Sequence, residues 1–372
     1  MIYADNAATT RLDLNAFEAM KPFLLDEYGN ASQPYAYAKK PKTALAEARQ
    51  TIAECIHASP EEIYFTSCGT ESDNWAIKGP SYLNRNHAAT ITSAFEHHAV
   101  LHTCEAIERQ GYPVAYMTPD KEGIVSPETL KRYITDDTYL VSVMFANNEI
   151  GSVQPIKKLC SVAHTHEALF HTDAVQAVGH IAIDVRDLGV DMLSASAHKY
   201  NGPKGIGFLY IRNGVDFPSF MDGGGQESGK RAGTENVAAI VGMAVALKKN
   251  CEELERNREH LLYLENRMLK GLRDARLDFV RNGSLEHIPG NMSLSFKGAD
   301  GEMLLHRLDL MGICVSTGSA CDSKNTQISH VLQAIKLDED YARGTIRVSL
   351  GRDNTEDDVD KIVHSIEKIL HK

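Results

Sequence analysis

The chain has 372 residues, 43% of them hydrophobic and 24% charged, proportions of an ordinary globular protein with room for two or three structural units. Thirty-nine basic against fifty acidic side chains leave a formal charge of −11, which argues against a nucleic-acid or anionic-membrane surface. No apolar run approaches the roughly 20 residues of a membrane helix. The start, Met1-Ile2-Tyr3-Ala4-Asp5-Asn6, lacks both parts of a signal peptide, so a cytoplasmic protein is expected.

In chain order, Asp5-Asn6-Ala7-Ala8-Thr9-Thr10 reads as an ordered loop and Gly29-Asn30-Ala31-Ser32 as a turn. Pro41 opens an alanine-rich segment of high helix propensity through Ile52. Glu62 to Thr66 is a strand that runs into Ser67-Cys68-Gly69-Thr70-Glu71-Ser72, and a helix follows through Trp75 and Ile77. That order aims backbone N–H groups and a helix dipole at an anion. It is neither a Walker A loop nor a GxGxxG, so no nucleotide is implied.

Strands at 89–92, 114–117, 139–145, 168–172, 190–193 and 206–211 alternate with helices at 97–109, 127–133 and 155–166. Such a βαβ rhythm implies a largely parallel buried sheet between helices, with ligands at the carboxyl ends of its strands. Polar clusters fall at those ends: Thr70, Glu96-His97-His98, Asn147-Asn148-Glu149, Asp173 with Gln176, and Ser196 to Lys199. Met221 to Thr234 is a long Gly-rich loop, of a kind kept for function. Residues 236–273 read as two helices. The pattern then becomes strand (291–296), helix (301–308), strand (312–316), helix (328–335), strand (345–350) and a last helix to Leu370. The expected architecture is α/β: a large domain over 15–258, a smaller α+β domain over 259–372, and residues 1–14 packing with the smaller one.

Five groups could carry chemistry. Lys199 stands between a serine-rich approach and a Gly/Pro-rich exit at a strand end, a placement that suits a Schiff-base lysine as well as a solvated loop residue. Asp173 and Gln176 could face the ring nitrogen and phenolic oxygen of a pyridoxal ring, or Asp173 could simply cap the next helix. His97 could stack on a flat cofactor and move protons. Seven cysteines without a C-x-x-C suggest mostly buried free thiols and no metal, but Cys321 lies among small and polar residues where a structural thiol is unusual. Arg347, inside an apolar strand, needs either a substrate carboxylate or an internal acid.

Together these segments resemble the cysteine desulfurase family of pyridoxal-phosphate enzymes, in the branch of the nitrogen-fixation and iron–sulfur-cluster desulfurases. The resemblance runs in order through Asp5 to Thr10, Gly69 to Asn74, Glu96-His97, Asn147 to Gly151, Asp173 to Gln176, Ser196 to Gly205, Arg231 to Asn236, Ser319 to Cys321, and Arg347 to Arg352. It implies the fold type I transferase architecture, pyridoxal 5'-phosphate, and L-cysteine as substrate. Lys199 would anchor the cofactor, with Asp173 at the ring nitrogen, Gln176 at the ring hydroxyl and His97 stacked. Thr70, Ser196 and His198 would hold the phosphate, joined by Thr234 from the other subunit of a homodimer, and Gly69 and Asn148 would also contact the cofactor. Asn148 and Arg347 would bind the substrate carboxylate region. Cys321 would take the sulfur as a persulfide and pass it to an acceptor, for iron–sulfur assembly or for tRNA or cofactor thiolation.

Where the family commonly has His, Gly and Arg, this chain has Tyr35, Ala38 and Ser228, and Asp322 follows the cysteine. These departures leave the acceptor open. A selenocysteine lyase of the same fold and a non-catalytic sulfur-trafficking scaffold are the alternatives.

Overall fold

The computed structural model describes residues 1–83, 89–318 and 328–371. The chain begins with β1 (Ile2–Tyr3) and α1 (Leu14–Leu25), followed by α2 (Lys39–Cys55), β2 (Ile63–Thr66) and α3 (Gly69–Leu83). Alternation continues through β3 (Ala89–Ser93), α4 (His98–Glu108), β4 (Val114–Met117), α5 (Pro127–Tyr133) and β5 (Thr138–Ser142). Next come α6 (Ile156–Thr165), β6 (Leu169–Asp173), α7 (Val185–Leu188), β7 (Met192–Ser196) and β8 (Gly207–Ile211).

These strands form a seven-stranded sheet in the order β2-β8-β7-β6-β5-β3-β4. All neighbours pair in parallel except β8, which runs against both β2 and β7. β8 departs from the parallel expectation because the short segment after Lys199 returns the chain directly beside β7. A parallel return needs a crossover of a dozen residues or more. Every residue of β7 and β8 is buried, as an interior strand covered on both faces requires.

α2 buries Leu45, Ala48 and Ile52 on one stripe, and it packs against α8 (Val237–Glu252). α1 escaped the sequence reading because its apolar residues form no inward stripe. Leu14, Phe17, Leu24 and Leu25 are all exposed while only Ala16 is buried. It closes on α8 at Gly242, where a Cβ would stand 2.5 Å from Met20 Sδ.

A second core gathers α9 (Leu254–Asp274), α10 (Gly301–Leu310) and α13 (Glu356–Leu370) on an antiparallel sheet. That sheet has the order β12 (Thr345–Ser349), β10 (Asn291–Phe296), β9 (Phe279–Asn282). The short elements β11 (Ile313–Cys314), α11 (His330–Ala334) and α12 (Glu339–Ala342) complete the chain. β1 pairs in parallel with β11, and Asp5 bridges to Ser349, so the first residues join this second unit. Residues just beyond cross to the first unit, where Thr10 N–H donates to His198 O at 2.9 Å and Asp13 N–H to Asn201 O at 2.9 Å. No helix among the described residues is long and apolar enough to cross a membrane.

Candidate active site

A cavity of about 330 Å³ opens where the carboxyl ends of the central strands meet the N-terminal segment and the second unit. Its walls carry Gly69, Thr70, His97, Asn148, Asp173, Gln176, Ser196, His198, Lys199 and Arg347. Ten of the twelve site residues expected from sequence thus converge on one space. Thr234 is exposed and is not among the lining residues. Cys321 lies outside the described residues, although Ser316, Thr317 and Gly318 bring the chain to the cavity edge just before it.

Lys199 ends a short 3₁₀ turn directly after β7. Its Nζ donates to Ala7 O at 2.6 Å and Ala8 O at 3.0 Å. Gln176 Nε2 donates to the same Ala7 carbonyl at 2.9 Å. The polar N-terminal loop therefore forms one wall, a task that its sequence did not reveal.

Asp173 is the last residue of β6, and its Oδ1 accepts from Val175 N–H at 2.9 Å. The carboxyl thus shapes a turn and caps no helix. Burial pushes it up to about 6, against the opposing pull of the Val175 N–H and of Lys199. His97 is the N-cap of α4, with Nδ1 accepting from Ala99 N–H at 3.1 Å. That bond commits the Nδ1 lone pair and leaves the neutral ring's hydrogen on Nε2. Burial, with Lys199 and three neighbouring histidines, pushes His97 down to about 4, so the ring is uncharged near neutrality. His198 Nδ1 lies 3.1 Å from Thr9 Oγ1, and burial beside Lys199 lowers it to about 4 as well.

α3 begins at the cavity, with Gly69 and Thr70 in its wall, and the first N–H groups of a helix have no partner within the helix. Glycine is required there because a Cβ at position 69 would stand 2.5 Å from Val175 Cγ2. Arg347, central in β12, donates from Nη1 to Asn148 O at 2.9 Å and from Nη2 to Asp5 Oδ1 at 2.8 Å. Asp5 is thus the internal acid that sequence left open. Arg347 Nε nevertheless remains buried without a hydrogen-bond partner among the described residues, so one edge of the fork still has a donor to offer.

The sequence reading missed Asp73, Ser194 and His171, all buried, with Asp73 on the cavity wall. One signal was available: His171 and Asp173 are two apart on a strand and so share a face. Asp73 likewise lies one helical turn beyond Thr70.

The class-V aminotransferase model matches residues 2–362. The chain is 46% identical to the cysteine desulfurase IscS of Clostridium botulinum, over 99% of this chain and 94% of that protein. A solved NifS-like protein superposes with a TM-score of 0.94 at 38% identity, covering 100% of this chain and 99% of the other. A structure described as SspA in complex with cysteine gives 0.85 at 36% identity, covering 94% and 99%. This chain belongs to the class-V aminotransferase family and, within it, groups with the IscS/NifS-like cysteine desulfurases.

Proposed function

We propose that the protein is a pyridoxal-phosphate-dependent cysteine desulfurase that converts L-cysteine to L-alanine and holds the sulfur as a persulfide on Cys321. The observation that carries this reading is the convergence of Lys199, Asp173, His97 and Arg347 on one cavity from four distant segments. The residues fit the cofactor: an amine, a buried acid, a neutral imidazole and a helix N-terminus backed by Ser196 and His198 share the space. Lys199, Asp173, Gln176, His97, Asn148, Gly69, Thr70, Ser196 and His198 would hold it, with Thr234 reaching in from a second copy. Bound there, pyridoxal 5'-phosphate supplies an electron sink for the substrate's α-carbon.

The remaining work belongs to the chain. Asp173 holds negative charge at the end of β6 against the cost of its burial, with Val175 N–H and Lys199 favouring the ionised form. Arg347, steadied by Asn148 O and Asp5, presents its unpartnered Nε edge to the substrate carboxylate. His97 offers Nε2–H as a donor because its other nitrogen caps α4. Lys199 Nζ carries the proton removed from the substrate carbon. Cys321 attacks as the thiolate. An S–S bond forms as the substrate's C–S bond breaks, and the carbon fragment keeps that electron pair and leaves, protonated, as alanine.

We read residues 1–14, 15–258 and 259–372 as the N-terminal segment, large domain and small domain, and the protein as a cytoplasmic homodimer serving a sulfur-acceptor protein. The exposed Thr234 and the exposed apolar residues of α1 support a second copy. The test is purified protein with L-cysteine and a reductant. Sulfide and alanine should appear together, borohydride should fix a pyridoxyl group on Lys199, and Cys321→Ser should stop turnover. Undiminished sulfide from that variant would remove the persulfide step.

A further inference from the structure

Behind the cavity wall lies a buried polar chain that the roles above leave unused. Asp73, on α3, lines the cavity with Asp173, yet it is 1% exposed and its Oδ1 has no hydrogen-bond partner among the described residues. His171 Nε2 stands 3.7 Å from that oxygen, beyond hydrogen-bonding distance. Both ring nitrogens are already engaged, Nε2 with Ser194 Oγ at 2.9 Å and Nδ1 with Ser142 Oγ at 2.9 Å. Ser194 also lies within hydrogen-bonding reach of the Asp73 carboxyl. The titratable groups around Asp73 are Asp173 and His171 from β6, Glu96 from the turn after β3, Cys68 between β2 and α3, and Lys199, which lines the same cavity. A carboxylate there would add a second negative charge beside Asp173, on a side chain that is almost entirely buried.

We propose that Asp73 stands as a neutral acid in the cavity wall it shares with Asp173 and is a positioning residue that keeps Asp173 the one ionised carboxyl of the pair. The inference rests on the cofactor reading above. Asp73 O–H then donates to Ser194 Oγ, Ser194 O–H to His171 Nε2, and His171 Nδ1–H to Ser142 Oγ. The protons of Asp73, Ser194 and His171 each find an acceptor, and the orphaned Oδ1 becomes an uncharged carbonyl oxygen, which is less costly to leave unpaired. Burial and the nearby Asp173 independently push the Asp73 carboxyl well above its usual range. Burial also holds His171 down to about 3, so it supplies no compensating positive charge.

The experiment compares wild-type holoenzyme with Asp73→Asn, the shape of the neutral acid, and with Asp73→Ala. The infrared spectrum of the wild type should show a protonated-carboxyl band that disappears in Asp73→Asn and survives in Glu96→Gln. Asp73→Ala should lower kcat at least about tenfold with little change in KM, the barrier cost of one lost hydrogen-bonded contact. Asp73→Asn should restore kcat and move the pH midpoint of the lysine-bound cofactor's visible absorbance by less than about half a unit, since no charge is removed. A missing band, a larger shift in Asp73→Asn, or full kcat in Asp73→Ala would each overturn the proposal. The infrared band is read with or without cofactor, so it judges Asp73 even if Asp73→Ala does not fold. A wild-type protein without visible absorbance would sink the cofactor reading alone.

Discussion

Arg347 offers the sharpest quantitative test, because its structural and substrate contacts can be separated. Its ion pair with Asp5 joins side chains that are 8% and 20% exposed. Removing one partner of a buried pair costs about 3–5 kcal/mol, and the partial exposure of Asp5 places Arg347→Ala near the lower end, about 3 kcal/mol. Arg347→Lys keeps the charge but loses the planar fork, and with it one charge-assisted hydrogen bond worth about 1.5–3 kcal/mol. If that bond holds the substrate carboxylate, KM for L-cysteine should rise about 10- to 100-fold, while the visible absorbance of the cofactor stays unchanged. Asp5→Asn is the control. It removes the ion pair but leaves the guanidinium, so KM should rise less than about tenfold, the equivalent of 1.4 kcal/mol. The assay is initial-rate alanine production with varied L-cysteine, beside urea unfolding of each variant. A KM within twofold of wild type in both Arg347 variants would refute the substrate role.

Gly69→Ala should cost about 1–3 kcal/mol of overpacking and weaken cofactor binding, because the new Cβ falls 2.5 Å from Val175 Cγ2; cofactor titration of the variant checks this. Burial holds His171 down to about 3, so the unfolded chain binds a proton there that the folded chain does not. Stability should therefore fall as pH drops below about 6.5, at up to about 1.4 kcal/mol per pH unit for this group, and His171→Gln should flatten that slope in urea melts. Glu96 has the opposite sign: burial pushes it up to about 8, so its contribution declines as pH rises from about 4.3 toward that value. Glu96→Gln should accordingly gain on wild type between the acid and alkaline ends of that range. Burial raises the thiols of Cys104 and Cys160, the latter to about 12. Iodoacetamide should spare both in the native protein and label Cys321, and peptide mapping that finds Cys160 labelled first would contradict the assignment.

Legibility from sequence followed the range of the interactions involved. The central strands are apolar runs bounded by polar turns, so β6 and β8 stand within one residue of their expected ends and β7 within three. Lys199, Asp173 and His97 were visible for the same reason: each is a polar residue at the carboxyl end of a buried strand, where the backbone emerges from the core. α1 was not, because its apolar residues face outward and its one buried contact, Ala16, means nothing until α8 lies beside it.

Alternating hydrophobicity and turn chemistry act over a few residues, so the chain by itself determined the layered α/β plan and the strand ends from which chemistry could be done. Which group satisfies which buried partner was decided only in three dimensions. Arg347 meets Asp5 across 342 residues of chain, and Lys199 finds Ala7 O across 192. The Ser142–His171–Ser194 chain with Asp73 likewise exists only because three strands and α3 bring those side chains together. A buried polar atom must be satisfied wherever the fold carries it, and that constraint leaves no mark on the residues beside it in sequence.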